Sequence, residues 1–147
     1  MKRLATLAAA LALTACASDQ PQQAATQPVQ LAATLTPSGE VPPNNSSGSG
    51  NAQVTYEKAT HQLRWNVAYG GLTGPATAAH FHGPAGPGTN APVVVNIAPS
   101  GPPTSPITGS AQLTDQQADQ LLAGEWYLNV HTAQHKGGEI RGQVVSR

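Results

Sequence analysis

Cysteine is nearly missing from this chain. Its 147 residues include one, Cys16, so no intramolecular disulfide can form. The single methionine is Met1, so beyond the first sixteen residues there is no sulfur to hold a soft metal. Charge is scarce too. Lys, Arg, Asp and Glu supply 10 % of the sequence, against roughly 25 % in ordinary soluble domains. Basic and acidic residues balance at seven each, and no basic patch points to nucleic acid. Neither Ser110 nor any other serine sits in a nucleophile motif, and no pair of acids is placed for general acid–base work, which argues against hydrolysis. The chain has no internal repeat.

What is present begins with an address. Lys2 and Arg3 precede the apolar run from Leu4 to Leu13, and Leu13-Thr14-Ala15-Cys16 closes it. Charge, length and small-residue ending match a secretory signal over 1–16, too short to span a membrane comfortably. The ending resembles the bacterial lipobox, which implies that Cys16 becomes the lipid-modified first residue of the mature chain. The expected location is therefore the cell envelope, lipid-anchored to a membrane. Ala17 rather than Asp follows the cysteine, and in a Gram-negative host the sorting pattern then implies the outer membrane. Residues 17–29 are rich in Gln, Ala, Pro and Ser and read as a flexible linker. Loss of Lys2 and Arg3 leaves five basic residues against seven acidic, a net of −2.

Residues 30–147 suit one domain with a modest core. Leu31 to Thr36 reads as a strand, followed by a polar loop through Gly50. Ala52, Val54 and Tyr56 alternate with polar residues, as do Leu63, Trp65 and Val67, and pairing Tyr56 with His61, Val54 with Leu63 and Ala52 with Trp65 makes a hairpin. His61 then caps a strand end. Thr77 to His82 forms a short strand. The apolar run Val93–Ile97 suggests a strand covered on both faces or central in a sandwich. Ile107, Ala111 and Leu113 face inward from another strand. Thr114 caps the one helix, Gln117 completes a capping box, Ala118, Leu121 and Leu122 form its buried stripe, and Gly124 ends it. In the last hairpin, Trp126 opposite Val144 and Val130 opposite Ile140 gather the apolar side chains on one face. That register sets His131 opposite Glu139, Asn129 opposite Arg141 and Tyr127 opposite Gln143. The expected fold is all-β: an antiparallel β-sandwich or barrel with one short helix, preceded by a signal peptide and flexible tether.

Several segments carry a resemblance. Glu40-Val41-Pro42-Pro43, Trp65 through Leu72, Ala79-His80-Phe81-His82-Gly83-Pro84-Ala85, Leu121 through Gly124, Tyr127 through Ala133, and Gly138 through Gln143 are similar, in order, to the CHRD (chordin) domain. The similarity covers about residues 30 to 145. It implies a β-rich extracytoplasmic domain of the kind found in chordin and in bacterial secreted proteins, and it implies no agreed activity. After His131-Thr132-Ala133 the family usually continues through Asn-Pro or similar, whereas this chain has Gln134-His135-Lys136.

The chemistry lies in the histidines. On a strand, His80 and His82 share one face with Phe81 on the other. Imidazole is a common ligand for Cu and Zn, and a transition-metal site through His80, His82 and His131 is one reading, with His135 near enough in sequence for a fourth ligand. Asn129, Glu139 and Arg141 would then support the ligands from behind. Without sulfur, Cu(II) leads on intrinsic affinity and Zn(II) follows. The other reading makes the histidines structural: His80 and His82 tie down the Gly83 to Pro92 loop, and His131 pins the last hairpin with Glu139 and Arg141. The module then binds an extracytoplasmic protein or surface without catalysis, through loops on a rigid scaffold. Of the two Pro/Gly loops, Gly83 to Pro92 is the better candidate for function, and Ala98 to Pro106 reads as plain connection. A His-X-His strand with a distant third histidine is also similar to the copper site of Cu,Zn superoxide dismutases. No second, Asp-containing histidine cluster supports that enzyme reading, which is fold-level analogy.

Overall fold

The computed structural model describes residues 27–147. The expected signal peptide over 1–16, with Cys16, and the expected linker up to residue 26 lie outside the described residues. Nine strands and one helix follow: β1 Val29–Leu35, β2 Ser49–Glu57, β3 Gln62–Gly70, β4 Ala76–His82, β5 Val93–Asn96, β6 Ile107–Gln112, α1 Asp115–Leu122, β7 Tyr127–Thr132, β8 Ile140–Gln143 and β9 Val145–Ser146, with a 3-10 turn at Pro37–Gly39. Two antiparallel sheets face each other. One has the order β6-β3-β2-β1-β9 and the other β5-β4-β7-β8. This is the expected all-β sandwich with a single helix among the described residues.

Period-two alternation builds the core. Leu31, Ala33 and Leu35 from β1, Ala52, Val54 and Tyr56 from β2, and Leu63, Trp65 and Val67 from β3 are buried from one sheet. Ala79 and Phe81 from β4, Leu128 and Val130 from β7, and Ile140 from β8 meet them from the other. Phe81 packs edge-on against Trp65, centroids 5.7 Å apart, and lies 6.0 Å from Trp126. The helix behaves as its sequence dictates. Thr114 Oγ1 accepts from Gln117 N–H, the Gln117 side chain accepts from Thr114 N–H, and Gly124 ends the helix at φ 74°.

Three expectations need correcting. The first hairpin pairs Tyr56 with Leu63, Val54 with Trp65 and Ala52 with Val67, two residues along from the expected register. A two-residue slip preserves the buried face, so hydrophobic pattern alone cannot separate the two alignments. The turn decides: Lys58 to His61 form a wider loop with His61 at φ 55°. His61 therefore sits in the turn, 3.2 Å from Asp115. Second, β5 is the edge strand of its sheet rather than a covered one, with Val93 half-exposed. Third, the terminal hairpin is shared between sheets. β8 pairs with β7, yet after Val144 the chain crosses over and β9 pairs with β1. The register Tyr127–Gln143, Asn129–Arg141 and Val130–Ile140 stands as expected.

The site is positioned by the second sheet. Since Phe81 points into the core, its neighbours His80 and His82 point to the outer face of β4. On β7, Leu128 and Val130 point inward, which sends Tyr127, Asn129 and His131 outward. The pairing of β4 with β7 aligns His80 with Asn129, Ala78 with His131 and His82 with Tyr127. β8 adds Arg141 beside Asn129.

Candidate metal centre

His80, His82 and His131 come together on this outer face. One ring nitrogen from each lies within 4.8 Å of the others. The His80 and His131 rings are 5.0 Å apart between centroids, His80 and His82 5.5 Å, and His82 and His131 6.2 Å. His82 and His131 are buried, and His80 is partly exposed.

The backbone fixes which nitrogens are free. His82 Nδ1 is 2.9 Å from the carbonyl of Ala91, and His131 Nδ1 is 3.0 Å from that of Lys136. A carbonyl only accepts, so each Nδ1 carries the proton and each neutral ring is bare at Nε2. His131 Nε2 lies 3.1 Å from His80 Nδ1 and accepts its proton. His82 Nε2 is buried and has no partner at all. Metal-binding histidines commonly have this arrangement, with the far nitrogen donating to a carbonyl.

Electrostatics keep the rings uncharged. Burial, with the neighbouring His131 and His82, lowers the His80 pKa to about 4. Burial lowers that of His82, outweighing the Ala91 carbonyl and Asn129 contacts that favour its protonation. His131 is lowered by burial, against the raising effect of the Lys136 carbonyl, with His82 adding to the depression. All three are therefore lone-pair donors at neutral pH.

The surroundings hold this geometry in place. The Tyr127 ring stacks on His82 with centroids 4.8 Å apart and planes within 2°. Arg141 lies over Tyr127, its Cζ 3.4 Å from the ring centroid. Arg141 also donates to Asn90 Oδ1 at 3.0 Å and to the carbonyl of Thr89 at 2.7 Å. The Tyr127 hydroxyl accepts from Ala91 N–H at 3.1 Å. Together these contacts clamp the Gly83 to Pro92 loop, so that Ala91 presents its carbonyl to His82. Arg141 thus supports the histidines through Tyr127 and the loop.

Two expected members are elsewhere. His135 is in the turn after β7 and is not part of the cluster; its backbone, rather than its ring, bonds to Thr132 and Gly138. Glu139 does not reach the histidines. Its carboxylate accepts from Ser46 Oγ at 2.5 Å, from Thr73 N–H and Oγ1 at 2.7 Å each, and from Thr132 Oγ1 at 2.6 Å. The reason is local: Gly138 has φ 133°, which breaks strand alternation just before Glu139 and sends its side chain toward Thr132. Burial raises the Glu139 pKa, but these hydrogen bonds outweigh it and hold the value at about 2.

Glu40 is a member that the sequence reading missed. It is 4 % exposed, with Oε1 unpartnered. Burial raises its pKa to about 7, against the lowering effects of Arg141, the Val41 N–H and Asn129. The only hint in the sequence is a lone acid at the head of Glu40-Val41-Pro42-Pro43, in an otherwise uncharged loop. Asn129, 2 % exposed, lies between Glu40 and His82.

A separate concavity lies elsewhere among the described residues. About 510 Å³ in volume, it lies between the edge strands β5 and β6 under the Ala98 to Pro106 loop, over Trp65 and Ile97, and none of the three histidines lines it. The convergent lone pairs, not this cavity, mark the candidate site. No helix among the described residues is long and apolar enough to cross a membrane.

A family model for the CHRD domain matches residues 31–144. No curated protein and no solved structure matches the chain.

Proposed function

This chain belongs to the CHRD domain family, and we propose that it is a lipid-anchored module of the cell envelope that binds a transition metal, Cu(II) or Zn(II), through His80, His82 and His131. The supporting observation is the pair of unprotonated Nε2 atoms on His82 and His131, each ring fixed by an Nδ1–H donated to a backbone carbonyl, within one cluster with His80. Tetrahedral coordination with metal–nitrogen bonds of about 2.0–2.1 Å needs donor nitrogens about 3.3 Å apart. The donor nitrogens lie within 4.8 Å of one another, so the rings must draw closer to hold an ion, and His80, the one ring that is not buried, has the most room to move. A cation would then replace the His80–His131 hydrogen bond. A donor set of three imidazoles, with no sulfur in it, favours borderline divalent ions over Cu(I) or Ca(II).

Calorimetric titration of the chain from Ala17 onward with Cu(II) and with Zn(II) tests the reading. Uptake of one ion, abolished by His82→Ala and by His131→Ala, is the expected result. Equal affinity in both variants removes the site and leaves the histidines as loop ties in an interaction module. The anchor is tested separately: Cys16→Ser should release the protein from the membrane fraction, and retention there refutes lipidation at this residue.

A further inference from the structure

The three histidines do not account for every orphaned atom in the site. Glu40 Oε1, Asn129 Oδ1 and His82 Nε2 are all buried and all without a hydrogen-bond partner. Buried polar atoms left unsatisfied call for an explanation, and an absent ion is one. Asn129 sits at the centre of the histidines. It is opposite His80 across the β4–β7 ladder and two residues before His131 on the same strand face.

The orientation of its amide follows from its neighbours. Asn129 Nδ2 donates to the carbonyl of Gly137 at 3.3 Å. It also lies with Glu40 Oε1 against the α-carbon of Gly138, where any β-carbon would collide with both. The Gly137 carbonyl only accepts, so the NH₂ group belongs on its side, which is also the side of Glu40. Oδ1 is thereby turned away from them, to the side where the Asn129 side chain meets His82. There it finds no donor, because the Nδ1–H groups of His82 and His131 are already given to Ala91 and Lys136 and the His80 Nδ1–H goes to His131. Asn129 Oδ1 and His82 Nε2 are thus lone pairs without a donor, which is what a cation requires.

We infer that Asn129 Oδ1 is the fourth donor of the metal site, directed there by Glu40, so that the site offers three imidazole nitrogens and one amide oxygen to a divalent cation. This rests on the three-histidine reading and deepens it. Glu40 acts as a positioning residue: its carboxyl lies beside the NH₂ end of the amide and so biases which end faces the ion. The mixed nitrogen and oxygen set suits Cu(II) and Zn(II) and disfavours Cu(I).

The test is Cu(II) titration of the whole chain, followed by electron paramagnetic resonance. The unaltered protein should give the signature of three nitrogens and one oxygen. Asn129→Leu should change that spectrum and weaken Cu(II) binding about tenfold or more. Asn129→Asp, which keeps an oxygen at the same reach and preserves the shape, should restore binding with a shifted spectrum. Glu40→Gln should alter the spectrum while leaving all four donors in place, since a glutamine no longer dictates the amide orientation. Spectra of Asn129→Leu and Asn129→Asp identical to the unaltered one overturn the fourth donor while the three histidines stand. Should Asn129→Leu not fold, an unchanged Asn129→Asp spectrum overturns it alone. No Cu(II) uptake by the unaltered protein overturns both readings. An unchanged Glu40→Gln spectrum overturns the positioning role.

Discussion

Two buried carboxylates sit on either side of one glycine, and they are opposites. Glu139, directly after Gly138, receives four hydrogen bonds from Ser46, Thr73 and Thr132 and is held ionised with a pKa of about 2. Glu40, packed against Gly138 from outside, has an oxygen with no partner and a pKa raised to about 7. The first is a complete knot. It ties the loop before β2, the turn after β3 and the end of β7 to the start of β8, and it asks for nothing further. The second belongs to a group of acceptors on the outer face that lack donors. Saturated hydrogen bonding marks Glu139 as a structural charge, whereas the orphaned acceptors beside three uncharged imidazoles are what the proposed metal would satisfy.

The sharpest way to break this contrast is to remove the knot. Glu139→Leu leaves the Ser46, Thr73 and Thr132 donors without this acceptor, Thr132 buried among them, and hydrogen bonds to a charged group contribute about 1.5–3 kcal/mol each. The expected loss of stability is about 3–5 kcal/mol by denaturant titration, with the histidine cluster intact in whatever fraction stays folded. The pH dependence has the same sign. The folded pKa of about 2 lies below the usual carboxylate value, so the unfolded chain binds the proton more readily. The stabilisation, on the order of 3 kcal/mol, is complete above pH 4.5 and drains away as pH falls toward 2. A variant as stable as the parent would show that the knot only decorates the loops.

On the other side of the comparison, His82→Ala and His131→Ala should each weaken Cu(II) or Zn(II) binding about 100-fold or more by calorimetry, with His135→Ala unchanged. Loss of binding in His135→Ala alone would mean that the turn folds over the site when metal is present. A smaller effect is expected from the support. Tyr127→Leu removes the ring between His82 and Arg141 and the hydroxyl that meets Ala91. Changes behind a ligand typically weaken metal binding about 10–100-fold, and the low end is expected here because the Ala91 carbonyl itself remains. Equal affinity would show that the backbone alone positions His82.

Much of this arrangement is legible in the residues, and the gaps have physical causes. The alternation around Phe81 places His80 and His82 on the outer face, and the apolar register of the last hairpin places Tyr127, Asn129 and His131 on the same side. Those patterns rest on burial, which sequence records directly. The first hairpin register did not follow because a slip of two residues keeps every apolar side chain inside, and only the wider turn at His61 separates the alternatives. Glu139 misled for a related reason: strand parity holds up to Ile140 and fails at Gly138, whose positive φ no periodicity reports. Glu40 lies 89 residues from Asn129, and no local pattern shows that a loop after β1 will close over β7. Val93–Ile97 looked central because its run is apolar. As an edge strand half-covered by a proline-rich loop, it needs apolar residues without being enclosed.

The gentlest test compares the two regions through acid alone. Glu139 loses its contribution only below pH 4.5, whereas the histidines act earlier. All three have folded pKa values below the ordinary imidazole value, His80 at about 4. Between pH 6.5 and about 4 the unfolded chain therefore takes up protons that the folded cluster refuses, and the metal-free protein loses stability as pH falls through that window. Replacing His80 with Gln should flatten this part of the stability profile, modestly because the ring is partly exposed, and leave the steeper fall below pH 4.5 untouched. The same depressed values mean that protons compete weakly for the ring nitrogens, so metal should remain bound below pH 6.5, where a free imidazole would already be charged. Metal release tracking pH 6.5 would show that the rings are as open to solvent as free imidazole. An unflattened profile in His80→Gln would shift the acid sensitivity onto His82 and His131, the two rings whose Nδ1 atoms the backbone holds.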